Sequence, residues 1–310
     1  MAAQSPQNLT WHLLGAGAIG CLYAAYLRRA GCNVRLLLRD APTLEKLQHR
    51  GGIELQLAHE KLSIAVPAEI ASNSHEQIRQ VLICTKAQQT LGAIRSLKMQ
   101  LAPRPVLVLL QNGMGVRELL QQEIPDAVIL HAISTEGAYQ TQRFCVVHAG
   151  HGSTVLGAIN RVEQPITQNV AVALQCELQI DAVDDIAQRL WLKLAVNCVI
   201  NPLTALHRCR NGELLQVPNI DSIIDALCRE FVTVANAENQ ALTLEQCRAA
   251  VHAVIRGTAM NHSSMLQDRL AHRPTEIDFI NGFIVQRAQQ HALACPHHTE
   301  LLAAIKAFDP

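Results

Sequence analysis

With 310 residues the chain is long for a single core, and two domains are the expectation. Its 26 lysines and arginines balance 26 aspartates and glutamates, which leaves no electrostatic footprint for nucleic acid or an anionic membrane. No segment approaches the about 18 consecutive apolar residues of a membrane span, and MAAQSPQNLT lacks the basic and apolar stretches of an export signal. The 10 cysteines form no CxxC pair, and several lie in apolar runs, as expected of reduced, core-filling thiols in a cytoplasmic protein. His148 and His151 in HAGH, and the pair His297 and His298, have no third ligand nearby in sequence, so no metal site is expected.

The first half alternates short apolar runs with amphipathic stretches, the pattern of a parallel sheet with crossover helices. Strands are predicted at Trp11–Leu14, Val34–Leu38, Val81–Cys84 and Val106–Leu110, and a hairpin is predicted in GGIELQLAHEKLSIAV. Further strands are expected at Ala127–Ile133, Phe144–His148 and Thr154–Leu156. From Asp184 the periodicity is helical, with breaks at Pro202, Pro218, Pro274 and Pro296. The expectation is an α/β domain over residues 1–183 and an all-helical domain over 184–310.

Gly15-Ala16-Gly17-Ala18-Ile19-Gly20 follows the first strand and runs into a helix predicted at Cys21–Ala30. In GxGxxG the glycines permit a tight turn, close approach of backbone to a pyrophosphate, and close helix–strand packing, while the helix N-terminus offers N–H groups. A structural turn is the bland alternative. The strand before it, the helix after it and the βαβ context favour a dinucleotide, and with it a Rossmann-type doubly wound sheet. About twenty residues on, where NAD-preferring proteins carry an acid, the second strand ends in Arg39 and then Asp40. A guanidinium suits the 2′-phosphate of NADP. One step of register would instead place Asp40 there.

Ligands of open α/β sheets sit beyond the carboxyl ends of the strands. Two such ends carry polar residues: Thr85 and Lys86 in VLICTKAQQT, and Gln111 and Asn112 in VLVLLQNGMG. Asn112 suits a nicotinamide amide or a substrate oxygen, or it is simply a turn residue.

WLKLAVNCVINPLTAL, Trp191–Leu206, is apolar nearly all round as a helix, yet it contains Lys193. Lys193, Asn197 and Asn201 recur every four residues and form a polar stripe; Pro202 frees a carbonyl and is expected to end or kink the helix. A second polar cluster, Asn261, Ser263, Ser264 and Asp268, precedes Glu276, which opens a further helix. A buried lysine is often half of a structural ion pair. Hydride transfer to a ketone, however, makes an alkoxide that needs a proton, and a lysine whose pKa is lowered by desolvation is a competent donor.

GAGAIG, TKA, LLQNGMG, WLKLAVNCVINPLTAL, NGEL at Asn211–Leu214 and SSMLQD…TEIDFINGF, in that order, resemble the ketopantoate reductase (2-dehydropantoate 2-reductase) family over almost the whole chain. The resemblance implies NADPH-dependent reduction of a 2-oxo acid, 2-dehydropantoate, to pantoate on the way to pantothenate and coenzyme A. It implies a helical domain like that of 6-phosphogluconate dehydrogenase joined to the Rossmann domain; a helical domain can bury its outer face in itself or in a twin, so monomer and homodimer both stay open. It further implies that Lys193 is the proton donor and that Glu276 binds the substrate hydroxyl and assists the lysine. Asn112 would lie near nicotinamide and substrate, Asn197, Asn201 and Asn261 would be substrate-side amides, and Ser264 would hold the carboxylate. Arg39 would hold the 2′-phosphate, and Lys86 would be a further cofactor-site cation.

LHAISTEGA at Leu130–Ala138 departs from the family's small, Gly/Thr-rich segment, and its Glu136 adds a charge at the expected cofactor-side wall. The residues before Trp11 exceed what the motif needs and are expected to be disordered. Two alternatives stay open: a reductase of another 2-oxo acid on the same scaffold, and a non-enzymatic NADP(H)-binding redox sensor.

Overall fold

The computed structural model describes residues 9–73 and 76–309. Most of the segment before Trp11 that was expected to be disordered therefore lies outside the described residues. The chain divides into two compact units: an α/β unit running to Gln111 and resuming over Val116–Ala187, and a helical unit comprising Asn112–Gly115 and the chain from Gln188.

The α/β unit begins β1 (Trp11–Leu14), α1 (Ala18–Arg29), β2 (Val34–Leu38), α2 (Ala41–Arg50), β3 (Ile53–Gln56), β4 (Lys61–Ile64), β5 (Ala68–Ile70), β6 (Ile78–Ile83) and α3 (Ala87–Leu97). It continues β7 (Leu101–Leu109), α4 (Val116–Glu123), β8 (Val128–Ser134), β9 (Gly137–Gln142), β10 (Cys145–Gly150), β11 (Thr154–Ala158), α5 (Gln164–Ala173) and β12 (Ile180–Ala182). The main sheet has the order β12-β11-β8-β7-β6-β1-β2-β5. β1 pairs in parallel with β2 on one side and β6 on the other. The chain thus leaves β1 toward one edge and returns on its far side, which makes the β1/β6 junction a topological switch point where α/β sheets bind ligands. All four residues of β1 are buried, because a central parallel strand is covered on both faces.

The predicted hairpin is present as the antiparallel pair β3–β4, in a second sheet of order β4-β3-β10-β9. Leu55 and Val146 of this sheet, with Phe144 of the turn before β10, share a core with Tyr23 and Leu27 of α1. Three short strands, β5, β9 and β12, were not foreseen. β7 is longer than predicted at its start, where Pro103 and Pro105 disguise it; Arg104 takes a left-handed φ of 52° and the pairing with β6 shifts register there. α1 starts three residues earlier than predicted, within the glycine loop itself.

The helical unit contains α6 (Ile186–His207, beginning two residues inside the α/β unit), α7 (Ile220–Ala237), α8 (Leu244–Gly257), α9 (Ser264–Leu270), α10 (Asn281–Gln290) and α11 (Pro296–Lys306). Trp191 of α6 meets Phe231 and Phe283 edge-on at 5.8 and 5.9 Å in its core. Pro202 does not end α6, which runs on to His207. The carbonyl that proline leaves without its N–H donor, Cys198 O, instead accepts from Asn281 Nδ2 at 2.9 Å. Asn281 is fully buried, so this bond ties α6 to α10 through the core. Glu276 opens a short 3-10 turn, Ile277–Phe279, and α10 follows it. None of the described helices is long and apolar enough to cross a membrane.

Candidate active site

In the α/β unit the glycine loop is shaped by two contacts that exclude any larger residue. Gly15 has φ +107°, and a Cβ there would stand 2.6 Å from Thr85 N; a Cβ on Gly20 would stand 1.9 Å from Gly15 O. Around Gly17 the situation reverses, with no atom within 4 Å of a Cβ position. Gly17 is also the N-cap of α1 and supplies no side-chain cap, and the first turn contains no acid. α2, α8 and α9 are by contrast capped by Asp40, by the Thr243–Gln246 capping box and by Ser263. α1 therefore begins beside a residue without a side chain, with open space where its Cβ would stand, which fits the pyrophosphate of a dinucleotide. Ala16 is buried, and its carbonyl accepts from Gln140 Nε2 of β9 at 3.1 Å.

At the end of β2, Asp40 is occupied. One oxygen accepts from Thr43 N at 2.9 Å and the other from Arg39 Nε at 2.8 Å; the Thr43 hydroxyl, the Arg39 guanidinium and the Thr43 N–H together hold its carboxyl down to about 2. The Arg39 side chain is 89% exposed and projects from the strand end.

Lys86, half-buried, is the N-cap residue of α3. Thr90, fully buried, knits the neighbouring strand ends together, with its hydroxyl 2.8 Å from Thr85 Oγ1, 3.1 Å from Lys86 O and 2.9 Å from Gln111 Oε1. The sequence pattern gave no hint of Thr90, since a threonine inside an amphipathic helix is unremarkable.

The helical unit gathers Lys193, Glu276 and the Asn112 segment. Lys193 is half-buried on α6. Desolvation by the surrounding helix core lowers its pKa from 10.5 to about 8, against the opposing pull of the Glu276 charge. Glu276 is itself buried. Three residues on, Phe279 O accepts from Met114 N at 2.8 Å, and a Cβ on Gly113 (φ +82°) would stand 2.5 Å from that same oxygen. A glycine at 113 thus lets the Asn112–Gly115 turn lie flat on the segment that carries Glu276.

Asn197 is half-buried and Asn201 buried, one and two turns beyond Lys193 on α6. Asn261 has an exposed side chain, and its carbonyl accepts from Asn211 N at 3.0 Å, which anchors it to the NGEL turn. Ser263 and Ser264 divide the work: Ser263 is buried, caps α9 through Leu266 N and lies 2.6 Å from the Thr204 hydroxyl, while Ser264 is exposed at the first position of α9.

A loop suited to a dinucleotide at the switch point of a parallel sheet, followed by a helical unit that lowers the pKa of a half-buried lysine, has the parts of a nicotinamide-dependent oxidoreductase. The chain belongs to the ketopantoate reductase PanE/ApbA family: residues 11–161 match the family's N-terminal model and residues 185–309 its C-terminal model. It is 34% identical to the 2-dehydropantoate 2-reductase of Vibrio cholerae, over 96% of this chain and 97% of that protein. The crystal structure of a probable 2-dehydropantoate 2-reductase from Bacillus subtilis superposes with a TM-score of 0.83 at 28% identity, covering 97% of this chain and 100% of that one. A ternary structure of D-mandelate dehydrogenase with NADH and anilino(oxo)acetate shares the fold at TM-score 0.91 and 22% identity, covering 97% and 98%. At the level of the family, the chain is an NAD(P)H-dependent reductase of a 2-oxo acid.

Proposed function

We propose that this protein reduces 2-dehydropantoate to pantoate with NADPH, with Lys193 as the proton donor. The observation that carries the proposal is the Lys193 amine, half-buried and brought to about 8 beside the buried Glu276, in a chain that matches the family from end to end. A dinucleotide held through its pyrophosphate at the glycine loop would supply hydride to the keto carbon from its nicotinamide. The remaining work falls to the chain's own side chains. Lys193 Nζ holds a proton that is loosely enough bound near neutral pH to pass to the developing alkoxide oxygen. Glu276 keeps part of the lysine population charged and accepts the substrate's hydroxyl. Asn112, Asn197, Asn201, Asn261 and Ser264 supply amide and hydroxyl groups for the carboxylate and carbonyl.

At the adenosine end, the N–H groups of Ala18 and Ile19 take the pyrophosphate, Lys86 adds a positive charge, and Arg39 takes the 2′-phosphate. The exposed guanidinium of Arg39 at the end of β2 supports NADPH over NADH, because a guanidinium suits the 2′-phosphate that NADH lacks.

The test is a steady-state comparison of 2-dehydropantoate with 2-oxoisovalerate, which lacks only the hydroxymethyl group, and with pyruvate. A site whose buried Glu276 is built to hydrogen-bond a hydroxyl discriminates strongly against an analogue without one. The expected kcat/KM for 2-dehydropantoate exceeds that for 2-oxoisovalerate by about 100-fold or more. Equal or reversed values would move the assignment to another 2-oxo acid.

A further inference from the structure

Glu136, the charge that departs from the family pattern, does not disturb an open wall of the α/β unit. Its side chain is 2% exposed and that of His148 0%, and Glu136 Oε2 stands 2.7 Å from His148 Nε2. The HAGH pair therefore has the third group that sequence proximity did not reveal. The β9–β10 pairing brings Glu136 across to His148, and the ligand atoms of Glu136, His148 and His151 all lie within 4.8 Å of one another.

His148 and His151 are three residues apart, so on a regular strand they would face opposite sides of the sheet. The pairing is irregular between His148 and Gly150, and β10 ends at Gly150; this break turns His151 back until its ring centroid lies 4.2 Å from that of His148.

We propose that Glu136, His148 and His151 bind one divalent transition-metal ion of the zinc type. A buried histidine–glutamate pair needs no second imidazole, whereas two imidazole nitrogens and a carboxylate are a ligand set for zinc that leaves a fourth position to water. Ligand atoms about 2.0–2.2 Å from a tetrahedral zinc stand about 3.3–3.6 Å from one another. The three groups reach that spacing by side-chain adjustment, chiefly of the exposed His151. A supporting shell is in place. Tyr26 Oη lies 2.8 Å from His148 Nδ1, with the rings edge-on at 81°, and Gly152 N donates to Glu136 Oε2 at 3.0 Å. Such outer contacts orient ligating groups and set the imidazole tautomer. The buried pair forms the floor of the site, and exposed His151 leaves a way in from solvent. The ion would pin the β9–β10 ribbon to α1 through Tyr26; none of its ligands is assigned to the reduction.

The experiment titrates chelator-treated, full-length protein with Co2+ and follows the visible absorption of a four-coordinate site. One Co2+ per chain is expected, displaced by Zn2+ and not by Mg2+ or Ca2+, which prefer all-oxygen sites. His151→Ala, exposed and hence harmless to folding, is expected to bind Co2+ roughly tenfold or more weakly while melting like the wild type without metal. Glu136→Gln, which removes charge with little change of shape, is expected to weaken binding likewise. Absence of the cobalt spectrum at millimolar metal, unchanged binding in either variant, or competition by Mg2+ at equal concentration would each overturn the proposal.

Discussion

Arg117 with Glu163 in the α/β unit and Lys193 with Glu276 in the helical unit both set a cation beside an acid out of bulk water, on different terms. Arg117 donates to Glu163 Oε2 at 3.0 Å and to Ile129 O at 2.7 Å, and Glu163 Oε1 accepts from Ile129 N at 3.0 Å. The pair thereby fastens α4 to β8, and a guanidinium does not exchange its proton in proteins. Lys193 is an amine, its proton loosened to about 8 by burial. Burial of charge alone does not distinguish structure from chemistry. What distinguishes them is whether the buried cation can give up a proton near the working pH.

Replacing each member of this comparison should separate the two roles. Lys193→Ala is expected to leave a folded protein that binds NADPH, with reductase turnover lowered about 10²–10⁴-fold in steady-state assays. Unchanged turnover would remove the lysine from the mechanism. Glu163→Gln should do the opposite: chemical denaturation is expected to show a loss of about 3 kcal/mol, the cost of stranding a buried cation, with kcat per folded molecule unchanged. A stable variant would mean that Arg117 is adequately served by Ile129 O alone. Arg39→Ala, at the exposed end of β2, should have the smallest effect. NADPH affinity is expected to fall about tenfold, with NADH nearly unaffected, and equal losses would return the 2′-position to Asp40.

Much of this was legible because it is written in local pattern. GxGxxG between a strand and a helix, and one charge in an apolar helix, are signals that span fewer than about two turns or one loop. The parts that were not legible depend on partners distant in sequence. Pro202 does not end α6, and the donor that its ring removes from Cys198 O is replaced by Asn281, on another helix. Glu136 reads as a stray charge until β9 pairs with β10 and buries it against His148. Proximity along the chain offers HAGH no third group, whereas strand pairing sets the Glu136 carboxylate within 4.8 Å of the ligand atoms of both histidines. β5 and β12 span three residues each, too short to show a period, and β7 opens with prolines that mimic a loop. The division of labour between Ser263 and Ser264 likewise requires knowing where α9 begins.

The central claim is that Lys193 delivers its proton in the step that reduces the ketone. Its most direct test is the pH dependence of kcat/KM for 2-dehydropantoate reduction in wild type and Lys193→Ala, because this parameter reports the ionisation of groups in the free enzyme. The donor must be protonated, so the wild-type profile is expected to be level below the lysine's pKa of about 8 and to fall tenfold per pH unit above it. The residual activity of Lys193→Ala should lack that limb. A wild-type profile level to pH 10, or the same limb in both proteins, would contradict the assignment.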